Sequence, residues 1–156
     1  MDSFGYHAFC CRGKLQKKRY DEVVNALNSL AYEAQLRPYP NAPVQCLGIS
    51  WQSSSDGTTA FCPADVLLDW DHLPRRTCVE VNIDLPILAH MPANFYPGKA
   101  RIAEDSKYSK YWLACHDAGY GFLGFAADCF GCLAPDTAQM LTRLAHMLES
   151  TKSYPP

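Results

Sequence analysis

The spacing of apolar residues predicts two long helices, one near each end of the chain. After residue 17, apolar side chains recur every three or four positions, which is the period of a helix buried on one face. This helix is expected to end before Pro38, because the residue preceding a proline avoids the helical conformation. The same spacing after Pro135 predicts a second long helix that begins at this proline, and a short helix is expected at 63–70.

Alternating and continuous apolar runs predict strands at 4–11, 44–51, 58–62, 77–84, 108–116 and 120–126. Asp56-Gly57 favours a tight turn that joins the second and third of these strands into a hairpin, and a turn at 117–119 joins the last two. Alternation of apolar and polar residues in 77–84 predicts a strand with one face in solvent. The segment 85–106 is punctuated by prolines and is expected to be irregular.

The order of these elements predicts an α+β fold. We expect a mostly antiparallel sheet of five to six strands with two main helices packed on one of its faces. A chain of 156 residues suits one globular domain, assigned to 1–152, with a flexible tail at 153–156. The most apolar stretch covers 118–127 and is shorter than the roughly 20 residues that a helix needs to cross a bilayer, so no membrane association is expected.

Cysteine content changes this picture more than charge does. The formal net charge is only -2, whereas the chain carries 8 cysteines. The first residues lack the basic start and apolar run of a secretory signal peptide, and a core of this size needs no disulfides to fold. We therefore expect an intracellular, cytoplasmic protein with reduced thiols.

The motif Cys129-Phe130-Gly131-Cys132 is the strongest chemical signal in the sequence. Two cysteines at this spacing can turn both sulfurs toward one zinc ion if the glycine allows a tight backbone turn. His7 and Cys10 are the predicted remaining ligands. The alternatives are Cys11, Cys115 and His116 as ligands, a redox pair, or two ordinary loop thiols.

A run of basic residues marks the start of the first helix. It consists of Arg12, Lys14, Lys17, Lys18 and Arg19. The helix dipole disfavours cations at this end, so their presence indicates an acidic partner. The slightly acidic chain has no second basic run, which favours a protein partner over nucleic acid.

Cys115-His116-Asp117 places a nucleophile, a base and an acid in succession. Consecutive side chains of the predicted strand would point to opposite faces, so Cys115 would need a histidine from elsewhere. Motifs of nucleotide-binding enzymes, serine hydrolases and zinc proteases are absent. The sequence therefore favours a small interaction or regulatory protein without its own catalysis, stabilised by zinc and carrying a basic patch. The alternatives are a cysteine-dependent hydrolase or thiol transferase using Cys115 or Cys129, and a nucleic-acid-binding module at 12–19.

Overall fold

A computed structural model describes residues 14–42, 47–48, 64–69, 76–84, 99–128 and 131–153. Within these ranges the fold is α+β, with three helices and a four-stranded mixed sheet. The elements in chain order are α1 (Lys14–Glu33), β1 (Tyr39–Pro40), β2 (Val66–Leu68), β3 (Thr77–Asp84), α2 (Lys99–Asp117), β4 (Gly121–Asp128) and α3 (Pro135–Ser153).

Helix α1 confirms the first predicted helix, and its end has a specific cause. Gln35 adopts a φ of 61°, and the N–H of Leu36 donates to the carbonyl of Ala31 at 2.9 Å while that of Gln35 donates to Tyr32 at 3.0 Å. These two bonds form a Schellman motif, in which a left-handed residue closes the helix. Leu36 then enters the core, so the chain reverses sharply at this point.

Replacing Gln35 with glycine is expected to stabilise the protein by about 1 kcal/mol, because glycine adopts the left-handed conformation without strain. The measurement is the free energy of unfolding in urea. Gln139, exposed in the interior of α3, provides the matched control: the same substitution there should destabilise by about 1 kcal/mol. If Gln35→Gly instead lowers the free energy of unfolding, the left-handed conformation of Gln35 does not destabilise the protein.

The sheet has the order β1-β2-β3-β4. β2 is antiparallel to both β1 and β3, whereas β3 and β4 are parallel over eight pairs, from Thr77↔Gly121 to Asp84↔Asp128. Parallel neighbours need a long crossover connection, and α2 lies in the segment that supplies it. The predicted mostly antiparallel sheet of five to six strands is therefore corrected to a mixed sheet that has four strands within the described residues.

Helices cover both faces of the sheet. One core cluster joins α1, α3 and the sheet: Val24, Leu27, Ala31, Ala34, Leu36, Val66, Leu68, Val79, Val81, Phe125, Met140 and Leu144. The other joins α2 to the opposite face: Ala42, Leu47, Ala64, Leu67, Cys78, Tyr111, Cys115 and Phe122. The strand predicted at 77–84 is confirmed by β3, but its expected solvent-facing side is wrong, since α2 packs over it and Glu80 is buried.

Two other predicted elements are wrong. The short helix expected at 63–70 is replaced by β2, all three residues of which are buried in the sheet. The strand expected at 108–116 belongs to α2, which begins at Lys99 within the segment predicted to be irregular. Within the described residues, three long helices therefore stand where two were expected, and β4 pairs with β3 instead of forming a hairpin.

The remaining predicted elements differ in how far the structure describes them. The strand at 4–11 and almost all of the hairpin at 44–62 lie outside the described residues. The helix predicted from Pro135 is confirmed by α3. That helix reaches Ser153, the first residue of the predicted tail, and 154–156 lie outside the described residues. In the described part of the chain, no helix is both long and apolar enough to span a membrane.

Candidate functional site

A cleft of about 480 Å³ lies beside the sheet edge formed by β1. Its floor is apolar, formed by Ala42, Leu47 and Leu67. Its walls carry polar and aromatic side chains together with Pro38: Tyr32, Arg37, Tyr39, Asp69, Arg76 and Tyr120. We call it the arginine–tyrosine cleft.

The charges of this cleft favour an anion. Arg76 Nε lies 3.5 Å from Asp69 Oδ2, and the Arg76 side chain remains 59% exposed. Among the described residues, no carboxylate pairs with Arg37. One acidic and two basic side chains therefore line the cleft, and both guanidinium groups keep donors that suit a carboxylate or phosphate.

The backbone that carries Arg37 is strained. Arg37 has a φ of 44° and precedes Pro38, although residues before proline strongly prefer extended conformations. Asn41, at the end of the same segment, has a φ of 49°. Each such residue costs on the order of 1 kcal/mol, and strained positions of this kind cluster at binding and catalytic sites.

No family model, curated protein or solved structure matches this chain.

Two thiols lie directly behind the cleft wall. Cys78 on β3 and Cys115 on α2 are fully buried in the same core cluster, and hydrogen bonding by Cys78 lowers the pKa of the Cys115 thiol. Cys78 pairs in register with Leu67 of the cleft floor, and the N–H of Tyr120 donates to the carbonyl of Cys115 at 2.9 Å. Each thiol is thus linked through the backbone to a residue that lines the cleft.

A buried charged cluster continues from these thiols along the same face of β3. Lys107 Nζ donates to Glu80 Oε1 at 2.6 Å, and the N–H of Val81 donates to Asp65 Oδ2 at 2.7 Å. Burial and the neighbouring carboxylate of Asp65 raise the pKa of Glu80 to about 7, against the opposing effect of Lys107. Burial also raises the pKa of Asp65, although the Tyr20 hydroxyl donates to it.

The environment of this cluster favours a protonated carboxyl group. Burial and the negative charge of Asp65 both raise the pKa of Glu80. The buried Oε2 of Glu80 has no hydrogen-bond partner among the described residues, which disfavours the charged carboxylate. With one proton, the two carboxyl groups and Lys107 have no net charge, as burial requires.

Close packing of α2 places Lys107 over the sheet. A Cβ atom on Gly124 would lie only 3.4 Å from the carbonyl oxygen of Glu104 and from Cβ of Lys107. Glycine at this position therefore lets the helix approach β4 closely. Glu104 itself is buried and caps α3, accepting a long 3.4 Å hydrogen bond from the N–H of Thr137.

The predicted zinc ligands lie mostly outside the described residues, as Cys129, His7 and Cys10 do. Cys132 is exposed, and its N–H donates to Asp128 Oδ1 at 2.9 Å. Gly131 has a φ of 87°, which gives the tight turn that the motif requires. Within the described ranges, no three or more histidine, cysteine, aspartate or glutamate side chains are grouped to hold a metal ion.

The predicted basic run occupies the start of α1, as expected. The helix begins at Lys14, and Lys17 and Lys18 are exposed; Arg12 lies outside the described residues. Lys18 Nζ lies 3.8 Å from Glu22 in an exposed pair, and Arg19 is half-buried. Because an α-helix rises about 1.5 Å per residue, Lys17 lies about 22 Å along α1 from Tyr32, which lines the cleft near the other end of the helix.

The candidate nucleophile Cys115 does not face its neighbour in sequence. His116 is exposed and stacks on Trp112 with ring centroids 5.0 Å apart, whereas Cys115 points into the core against Cys78. The sequence predicts that the side chains of Cys115 and His116 point apart because they lie in a strand. In the structure they point apart because consecutive residues of a helix project in different directions. Cys129, the other candidate nucleophile, lies outside the described residues.

Sequence reasoning missed the groups that the fold brings together: Arg37, Arg76, Asp65, Glu80, Lys107 and the Cys78–Cys115 pair. One local signal was available. Glu80 follows Cys78-Val79 and precedes Val81 in a strand, where a carboxylate between apolar residues indicates either an exposed face or a buried ion pair.

Proposed function

We propose that this protein is an interaction protein without its own catalysis, and that its arginine–tyrosine cleft binds an acidic segment of a protein partner. The observation that carries the proposal is the pairing of two arginines with exposed tyrosines around an apolar floor. Arginine and tyrosine are enriched at protein interfaces, where they combine directed hydrogen bonds with a large contact area.

The dimensions of the cleft define what it accepts. A volume of about 480 Å³ falls within the roughly 300–1,000 Å³ of ordinary ligand sites. It accommodates a few side chains of a peptide. We infer that the floor receives one aromatic or aliphatic side chain while Arg37 and Arg76 pair with carboxylates on either side of it.

The binding test uses a fluorescein-labelled, capped peptide of sequence Asp-Glu-Phe-Asp-Glu, followed by fluorescence anisotropy. Changing Arg37 or Arg76 to glutamine is expected to weaken binding by about tenfold each, the worth of a charge-assisted hydrogen bond. Added salt should weaken binding to the unchanged protein, since the attraction is between exposed charges.

Two controls define the outcome. Arg101, exposed at the opposite end of α2 from the cleft, is changed to glutamine and should leave affinity unchanged. A peptide with Asn and Gln in place of Asp and Glu should bind weakly. Equal affinity for both peptides, or for the Arg37→Gln protein, would contradict the proposal.

The basic run at 12–19 supports a second contact with the same kind of partner, because α1 presents Lys17 and Lys18 to solvent and has no acidic residue in its first turn. Binding of nucleic acid by this basic run is the alternative. A labelled single-stranded oligonucleotide added to the same assay separates the two: binding that is lost in Lys17→Glu and retained in Arg37→Gln would favour the nucleic acid.

Zinc stabilisation by Cys129, Cys132, His7 and Cys10 remains part of this proposal, supported by the turn at Gly131. A cysteine-dependent enzyme using Cys115 or Cys129 is the remaining alternative. It is supported by the lowered pKa of Cys115, which results from the hydrogen bond with Cys78.

A further inference from the structure

The one acidic side chain that lines the arginine–tyrosine cleft, among the described residues, lies against one of its two arginines. Asp69 directly follows β2, and Arg76 directly precedes β3. Extended by one residue, the antiparallel register that pairs Leu68 with Thr77 places them opposite each other. Asp69 Oδ2 lies 3.5 Å from Arg76 Nε. The sheet thus places a carboxylate beside a group that a bound acidic segment needs.

Backbone hydrogen bonds hold both members of this ion pair in place. The N–H of Asp69 donates to the carbonyl of Leu36 at 3.0 Å, which anchors Asp69 to the residue that precedes Arg37. The carbonyl of Arg76 accepts from the N–H of Gly121 at 2.8 Å. The two side chains, in contrast, keep 59% of their surface exposed in Arg76 and 38% in Asp69. Their contact can therefore open without a change in the fold.

The ion pair between Asp69 and Arg76 affects binding more than stability. Its separation of 3.5 Å exceeds the roughly 2.7–2.9 Å of a strong charge-assisted hydrogen bond. Ion pairs between exposed side chains contribute little to the free energy of unfolding. A negative charge inside the cleft does, however, repel the acidic segment that the two arginines attract. The main effect of Asp69 therefore falls on the ligand.

We propose that Asp69 is an internal competitor for Arg76: it pairs with this arginine in the free protein and is displaced by a carboxylate of the acidic segment that binds in the cleft. The inference rests on the proposed function, because it concerns the regulation of that same site. Arg37 pairs with no carboxylate of the described residues and is open to the ligand from the start. Arg76 becomes available when the ligand replaces Asp69.

Asp69→Asn is expected to strengthen binding of the labelled acidic peptide by about fivefold, because the ligand no longer displaces a carboxylate and no longer faces its charge. Fluorescence anisotropy measures the affinity, and thermal unfolding confirms that the variant is folded. Asp21→Asn provides the matched control. It changes the net charge of the chain equally at an exposed position of α1 outside the cleft, and it should leave the affinity unchanged.

Competition for Arg76 is separated from a general effect of the negative charge by making the same change in the Arg76→Gln protein. Without the arginine there is no group to compete for, so Asp69→Asn should then strengthen binding by about twofold at most. An affinity that Asp69→Asn leaves unchanged, or a gain of the same size with and without Arg76, would overturn the proposal.

NMR spectra of the arginine Nε–H groups follow the ion pair directly. The Arg76 signal, assigned by its loss in Arg76→Gln, should shift in Asp69→Asn, whereas the signal of Arg101, exposed on α2, should stay in place. Addition of the peptide to the unchanged protein should also shift the Arg76 signal. A peptide that binds neither protein overturns the proposed function and the competition with it. A peptide that binds while the Arg76 signal is insensitive to Asp69→Asn overturns the internal competitor alone.

Discussion

Replacing Lys107 with methionine is expected to destabilise the protein by about 3 kcal/mol at about pH 8, and by less at about pH 5. Lys107 Nζ lies 2.6 Å from Glu80 and provides the positive charge next to two buried carboxyl groups. Without it, a negative charge remains in the core with no adjacent cation. Methionine keeps the length and apolar character of the stem, so the loss reports on the charge.

Chemical unfolding at the two pH values measures this effect. The smaller loss at low pH is expected because protonation of Asp65 and Glu80 removes the uncompensated charge. Arg101→Met provides the matched control, since Arg101 lies on the same helix, is exposed, and forms no ion pair with a carboxylate of the described residues. Equal losses in both variants would show that Lys107 acts through packing alone.

Helices α1 and α3 and strand β3 were predictable because each has a regular pattern with one dominant buried face or run. In α1, the buried residues Val24, Leu27 and Ala31 follow the helical period, and Pro38 limits the helix from the other side. In α3, the buried residues Met140 and Leu144 also follow the helical period. The local sequence is sufficient to predict a helix or strand when its buried residues recur with a single period.

Helix α2 was mispredicted because apolar residues occur all around it. Tyr111 and Cys115 face the core, whereas Ile102, Trp112 and Leu113 are exposed. With large apolar side chains on both sides, the segment loses the helical period, and its aromatic residues favour a strand instead. The parallel pairing of β3 with β4 follows from this helix, so one wrong element changed the topology of the whole sheet.

The candidate site depends on contacts that no local pattern contains. Arg37 and Arg76 line one cleft because α1 reverses at Gln35 and because β2 aligns with both β1 and β3. Glu80 looked like a solvent-facing residue of an alternating strand. Only the helix on that face, unrecognised in the sequence, makes it buried.

The cleft, the thiol pair and the charged cluster form one continuous region on the α2 side of the sheet. Cys78 and Glu80 are two residues apart and therefore point to the same face of β3, and the charge of Glu80 raises the pKa of Cys115. The N–H of Tyr120, a residue of the cleft wall, donates to the carbonyl of Cys115. The thiol whose pKa depends on the charge of Glu80 therefore lies next to the cleft.

Glu80→Gln is expected to stabilise the protein by up to about 3 kcal/mol at about pH 8 and to have little effect at about pH 4.5. The pKa of Glu80 is raised by burial from 4.5 to about 7 in the folded protein. Between these values the folded state holds a proton that the unfolded state has released. The stability contributed by this group is therefore complete below the lower value and is lost as the pH rises through the window.

Glutamine reproduces the protonated form of Glu80. Its carbonyl oxygen accepts from Lys107, its amide donates to Asp65, and the remaining Asp65–Lys107 pair has no net charge. The measurement is the free energy of unfolding of both proteins across the window, because the difference between them isolates residue 80 from every other titrating group. Glu33→Gln removes a carboxylate at an exposed position at the end of α1, and its effect on the free energy of unfolding at about pH 8 should be much smaller than that of Glu80→Gln. A difference for Glu80→Gln that stays flat, or that grows toward low pH, would mean that Glu80 is charged in the folded core at all these pH values.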